Sequence, residues 1–194
     1  MPFTEPEYMQ GLEKKFEGPI RDQMWGLRSR LSVDPGADPL AWAIANQLAC
    51  SQRPLRDHPL FRDQKPLPQE AGPYVVKWVE RVRASGIQSV ICLMHSKELR
   101  YYDGLAGMED GLLDLYRKVG FRVCHLQWAD PAHAKTEEAR TALRARVEEI
   151  KVRAYEAFLQ LPKPVLIHCS AAIDRSTPVA AYIAANISRC VTRK

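Results

Sequence analysis

The stretch from Pro162 to Ile187 constrains this chain more than any other. Pro162 and Pro164 close off what precedes, and Val165-Leu166-Ile167-His168 follows as a short apolar run. A run that brief reads as a strand rather than a helix. Beyond the next few residues, Arg175-Ser176-Thr177-Pro178 opens a second apolar stretch that ends near Ile187. That stretch reads as a helix, with Pro178 in the first turn, where a missing N–H does little harm. A strand feeding directly into a helix is a unit of an α/β fold, because the helix must pack back onto the sheet the strand joins.

The rest of the chain continues the alternation. Leu40–Cys50 reads as an opening strand or hairpin, and Pro54, Pro59, Pro66, Pro68 and Pro73 punctuate a loop-rich stretch after it. Tyr74–Ala84 places Tyr74, Val75, Trp78, Val79 and Val82 on one helical face, with Gly86 just past the end. Ile87–Met94 is rich in β-branched residues and reads as a buried strand. A polar loop holding Arg100, Tyr101 and Tyr102 comes next. Glu109–Val119 then reads as a helix stopped by Gly120, and Phe121–Trp128 as another strand. One long helix is predicted over 136–160, with Leu143, Val147, Ile150, Ala154 and Phe158 as its apolar stripe. Together these elements predict an α/β domain over 39–194 whose central, largely parallel (mixed) sheet is flanked by helices. Residues 1–38 are punctuated by Pro2, Pro6, Pro19 and Pro35. They read as an irregular N-terminal extension packed on that domain, with short helices around 6–16 and 22–30.

Apolar residues make up 46% of the chain and charged residues 26%, which predicts a soluble globular protein. No apolar run is long enough to span a bilayer. No N-terminal stretch combines a basic start, an apolar core and a small-residue cleavage site, so secretion is not expected. The net charge is +5, but Lys and Arg are mixed with Asp and Glu along the chain. That pattern describes a solvated surface rather than a nucleic-acid-binding patch. The five cysteines are odd in number and show no C-x-x-C spacing. A reduced, cytoplasmic setting is expected, with no metal, cofactor, nucleic acid or membrane as partner.

Between the last strand and helix lies His168-Cys169-Ser170-Ala171-Ala172-Ile173-Asp174-Arg175-Ser176. A strand-to-helix turn points successive backbone N–H groups into one concavity, with the positive end of the helix behind it. That concavity suits phosphate or another oxyanion. Arg175 stands where its planar fork can hold two phosphate oxygens. Cys169 starts the loop, so its sulfur would lie under the bound phosphorus. The same field stabilises a thiolate and can lower a cysteine pKa well below about 8.5. Ser176 is placed to donate a hydrogen bond to that sulfur. His168 is expected to orient the loop from behind rather than to act as a base.

HC-x5-R-S at the end of a strand resembles the signature of the protein tyrosine phosphatase superfamily, in particular its small dual-specificity branch. The runs GIQSVICLM, LLDLYRKVGFRVCHLQWAD and PVLIHCSA are similar, in their order, to the elements of that branch. The resemblance covers about Leu40 to Ile187 and leaves the first 38 residues unmatched. It implies a cysteine-phosphatase-like fold and a cysteine-dependent phosphomonoesterase. Its substrate would be a phosphorylated protein, dephosphorylated at phosphotyrosine, with phosphoserine and phosphothreonine as further options. By position, the resemblance implies that Cys169 forms a phospho-cysteine intermediate. Arg175 would clamp the phosphate with the backbone amides of Ser170, Ala171, Ala172, Ile173, Asp174 and Arg175, and Ser176 would assist breakdown of the intermediate. The family's loop-borne aspartic acid corresponds to Asp130 in QWAD-P. An acid placed to protonate the leaving oxygen contributes about 10²–10⁴-fold. One departure stands at Ala172, where the family often has glycine. Alanine resists the conformation that glycine permits there, at about 1 kcal/mol.

Other readings stay open. The same chemistry on a phosphoinositide, an inositol phosphate or an RNA 5′-phosphate is one, although Ser-Ala-Ala-Ile-Asp lacks the lysines that favour a multiply charged headgroup. A phospho-binding module without turnover predicts loss of the cysteine, the arginine or the acid, and all three are present. Cys92 and Cys124 read as core cysteines, with a redox partnership to Cys169 as the alternative. Arg100, Tyr101 and Tyr102 read equally as pocket rim or loop surface.

Overall fold

The computed structural model describes residues 5–192. The opening apolar segment folds as the antiparallel hairpin β1 (Ala41–Ile44) and β2 (Leu48–Ser51). Three further strands, β3 (Ser89–Cys92), β4 (Arg122–His125) and β5 (Val165–His168), run parallel to one another, and β2 runs parallel to β5. The result is one mixed, mostly parallel five-stranded sheet in the order β1-β2-β5-β3-β4. The pleat divides its side chains between two cores. Leu48, Cys50, Ile91, Val165 and Ile167 point to one face, and Ala49, Val90, Cys92 and Leu166 to the other. The first face is covered by α1 (Glu5–Val33), α6 (Val147–Gln160) and α7 (Ser176–Thr192), and the second by α2 (Gly72–Ala84) and α4 (Leu112–Lys118).

Three helical expectations need correction. The N-terminal segment is not irregular: α1 is continuous from Glu5 to Val33. Its half-buried Phe16 and buried Ile20, Met24, Leu27 and Leu31 recur at helical spacing, and this stripe joins the core against α7. Pro19 lies inside the helix but on its exposed side, where water can take the carbonyl that its missing N–H leaves unmatched. The second correction concerns the long helix over 136–160. It is two helices, α5 (Glu137–Ala145) and α6, separated at Arg146. The Trp128 indole donates to the Leu143 carbonyl at 2.9 Å. A continuous helix would offer that oxygen to the Val147 N–H, so the intruding side chain marks the break. Third, Tyr74 is 41% exposed and does not share the buried face of Val75, Trp78, Val79 and Val82.

Gly120 ends α4 as expected. Its φ of +98° is a conformation that side chains resist, and a Cβ there would meet Arg83 Nη1 at 2.7 Å. Among the described residues no helix is long and apolar enough to cross a membrane.

Candidate functional site

β5 is the middle strand of the sheet and ends at His168. The loop Cys169–Arg175 therefore leaves the carboxyl end of the central strand, the side on which open α/β sheets present ligands, and α7 begins at Ser176. His168 is wholly buried and supports the loop from behind. One ring nitrogen, Nδ1, lies 3.1 Å from the Cys169 carbonyl oxygen, and Nε2 lies 3.1 Å from the Tyr116 hydroxyl. A carbonyl only accepts, so Nδ1 carries the proton and the Tyr116 O–H donates to Nε2. Burial pushes the His168 pKa down to about 4, so the ring is neutral at physiological pH.

Within the loop, the Ala172 N–H donates to Cys169 Sγ at 3.2 Å. Ala172 has φ +65°, the left-handed region that glycine occupies without strain and alanine resists. The Thr177 hydroxyl donates to the Ala172 carbonyl oxygen at 3.0 Å and ties the strained residue to the first turn of α7. Ile173 is buried in the core, Ser170 and Ala171 are half-buried, and Asp174 is exposed. Ser176 does not bond to the sulfur as expected: its Oγ is buried without a hydrogen-bond partner among the described residues.

Arg175 is fully buried. Glu98 grips it with both oxygens, Oε1 on Nη2 at 2.6 Å and Oε2 on Nη1 at 2.7 Å. Nη1 also donates to the Trp128 carbonyl at 2.8 Å. Burial opposes the charge, and the Glu98 hydrogen bonds outweigh it with help from the charges of Cys169, Glu98 and Asp130, so the guanidinium pKa rises above its ordinary value. Burial likewise pushes the Glu98 carboxyl up, and Arg175 outweighs it, leaving the pKa below the ordinary value. Glu98 lies on α3 (Ser96–Leu99), where it accepts from the His95 backbone N–H at 2.8 Å while His95 Nδ1 accepts from the Lys97 N–H at 3.2 Å. That reciprocal cap aims the carboxylate. Arg175 Nε, by contrast, is buried without a partner among the described residues.

Asp130 is brought to the same place. Its Oδ2 lies 3.5 Å from Arg175 Nη2, and its Oδ1 accepts from the Ala132 N–H at 2.9 Å, capping the short 3-10 turn Pro131–His133. Beside it, Trp128, Pro131, Ala132, Arg144, Val147 and Asp174 line a hollow of about 310 Å³.

Sequence reasoning missed Glu98 and Arg53. The Arg53 backbone N–H donates to the Ser170 carbonyl at 2.9 Å, and its Nε donates to Ser170 Oγ at 3.3 Å. Its Nη1 donates to the Tyr102 hydroxyl at 3.1 Å, and Tyr101 lies under the guanidinium at 5.3 Å. Tyr101 and Tyr102 thus hold Arg53 against the loop. For Glu98, the H-x-x-E pattern after a strand was a cap signal that a closer reading could have used. For Arg53, no local pattern existed. Of the cysteines, Cys92 is buried with its pKa pushed up to about 12 by desolvation, as is Cys50, and Cys124 is half-buried on the edge strand β4.

Comparison with protein-family models, with curated proteins and with solved structures found no match for this chain.

Proposed function

We propose that this chain is a cysteine-dependent phosphomonoesterase that removes phosphate from phosphotyrosine, and from phosphoserine or phosphothreonine, through a phospho-cysteine intermediate. One observation carries the reading. Arg175 closes the C-x5-R loop, is locked through its Nη atoms by Glu98, and keeps its Nε buried without a partner. A guanidinium fixed in this way retains one edge for an oxyanion. The 3.5 Å Asp130 contact is long for a charged pair and can give way to a phosphate oxygen.

In this reading the Cys169 thiolate attacks phosphorus, and the S–P bond forms as the P–O bond to the leaving group breaks. Asp130 gives its proton to the departing oxygen. Its carboxylate then takes a proton from the water that attacks phospho-cysteine, which releases inorganic phosphate and restores the thiolate. The transition state is loose, so fixed charge and positioning supply most of the acceleration. Ser176, with an uncommitted hydroxyl in the first turn of α7, is the group nearest in sequence to assist the second step.

A second reading, hydrolysis of a phosphoinositide, an inositol phosphate or an RNA 5′-phosphate, is favoured by Arg53. This guanidinium is buried, touches Ser170, and has no carboxylate within ion-pair distance among the described residues. Burial, and the positive charges of Arg56 and Arg53, lower the Lys65 pKa. Crowded cations of this kind suit a multiply charged headgroup.

The test is hydrolysis of p-nitrophenyl phosphate in EDTA. Cys169→Ser should abolish it, and Asp130→Ala should lower it by about 10²–10⁴-fold with a flattened pH profile. Activity that survives Cys169→Ser would overturn the mechanism. Comparing a phosphotyrosine peptide with an inositol polyphosphate separates the two substrate readings.

A further inference from the structure

Pro35, Leu55, His58, Tyr74, Lys77 and Arg81 help to line a groove of about 570 Å³ beside α2. Small-molecule sites run from about 300 to 1,000 Å³, with mostly apolar walls and a few placed polar groups. This groove shares Pro35, Leu55, His58 and Arg81 with a smaller cleft of about 10 Å³ that is also lined by Leu31, Gln52 and Trp78. Such a cleft admits one water-sized atom.

Three polar atoms of the cleft residues are buried without partners among the described residues: Gln52 Oε1, Trp78 Nε1 and Arg81 Nε. Gln52 and Trp78 are each 2% exposed. Native proteins leave few such atoms orphaned, and all three belong to residues that wall one cleft. Two of the three are N–H donors, and the Gln52 amide can turn either end inward. Arg81 spends Nη1 on the Ala37 carbonyl at 3.2 Å and has no carboxylate within ion-pair distance among the described residues. Glu80 is the one acid that lines the groove, against the two cations Lys77 and Arg81. The mouth is aromatic. His58 lies 4.9 Å from Phe61 and 5.3 Å from Tyr74, centroid to centroid. His58 Nδ1 accepts from the Leu60 N–H at 3.2 Å, which leaves Nε2 as its donor. Leu55 stands at φ +62°, a strained setting for a branched side chain at the edge of a cavity.

We propose that this groove binds a small aromatic carboxylate. The carboxylate meets Arg81 where the groove adjoins the cleft, and the ring lies against Tyr74 and Leu55. The Arg81 guanidinium, which has no carboxylate at ion-pair distance among the described residues although the charges of Asp34 and Asp38 act on it, favours a carboxylate over a neutral amide. The groove lies outside the signature loop, although its neighbour Trp78 packs edge-on against His168 at 6.5 Å, centroid to centroid.

The experiment is NMR of the indole N–H signals of the full chain, which has four tryptophans, during titration with sodium 2-naphthoate and with 2-naphthamide. Trp78→Phe assigns the Trp78 signal. Naphthoate should move that signal saturably, and naphthamide should bind about tenfold more weakly, the order of one charge-assisted hydrogen bond. Arg81→Gln should weaken naphthoate by a similar factor while the Trp42 and Trp128 signals stay in place. Arg81→Lys, which keeps the charge but loses Nε, guards against loss of the fold and should also bind more weakly than wild type. A Trp78 signal unmoved by naphthoate, equal binding of the amide, or unchanged affinity in either Arg81 variant overturns the proposal.

Discussion

Arg175 is out of water, and Glu98 is what makes its burial tolerable. The two side chains are bonded twice, at 2.6 and 2.7 Å, with almost no exposure on either. Removing one partner of such a pair leaves a buried charge uncompensated, at about 3–5 kcal/mol. Glu98→Gln should therefore lower the unfolding free energy by that order, read as a lower urea midpoint at unchanged slope, and it should also reduce hydrolysis, because the guanidinium loses its fixed orientation. A variant as stable as wild type would show that the pair does not hold Arg175. Ala172 poses a different balance. Its positive φ strains it by about 1–2 kcal/mol, while its buried methyl group returns about 0.8 kcal/mol. The methyl group offsets part of that strain, and Thr177 holds the residue in place. Cys169 and Arg175 were legible because their spacing is local. Glu98 and Arg53 meet the loop from 77 and 117 residues away, and no local pattern announces a partner at that distance.

Strands were the easiest elements to read, since Ser89–Cys92 and Val165–His168 are buried on both sides and carry nearly unbroken apolar runs. Helix α1 was hidden by Gly18-Pro19, which usually ends a helix. The stripe from Phe16 to Leu31 was present in the sequence, yet its meaning depended on α7 lying opposite. Packing overrode local preference there. If α1 belongs to the core, Leu27→Ala should destabilise the protein by about 2–5 kcal/mol and keep a single unfolding transition. A separate early transition in urea, followed by circular dichroism, would instead mark α1 as an independently melting extension. The break between α5 and α6 was unreadable for a related reason. Its cause is the Trp128 indole, which arrives from the loop after β4.

Acid sensitivity belongs to the molecule as a whole, because folding creates the dry site around His168. Its folded pKa of about 4 lies below the unfolded value of about 6.5. The unfolded chain therefore binds a proton in that window and the native chain does not. Stability is full above about pH 6.5 and falls by about 3 kcal/mol as pH drops towards 4. The lowered Glu98 carboxyl adds a loss at still lower pH, as it protonates through its folded pKa. Urea midpoints at about pH 7 and about pH 4.5 should show the drop, and His168→Asn should flatten it. A drop of equal size in that variant would assign it elsewhere. The strand order carries a last consequence. β5 is the penultimate element in the chain, yet it sits between β2 and β3. On a ribosome, β1 and β2 emerge as one pair and β3 and β4 as another, with no backbone ladder joining them. The four residues that bridge the gap are also those that launch the Cys169 loop. A nascent chain thus carries its Cys169 loop only after every other strand has been made, and until then it exposes the unpaired edges of β2 and β3, a window for a chaperone or for aggregation.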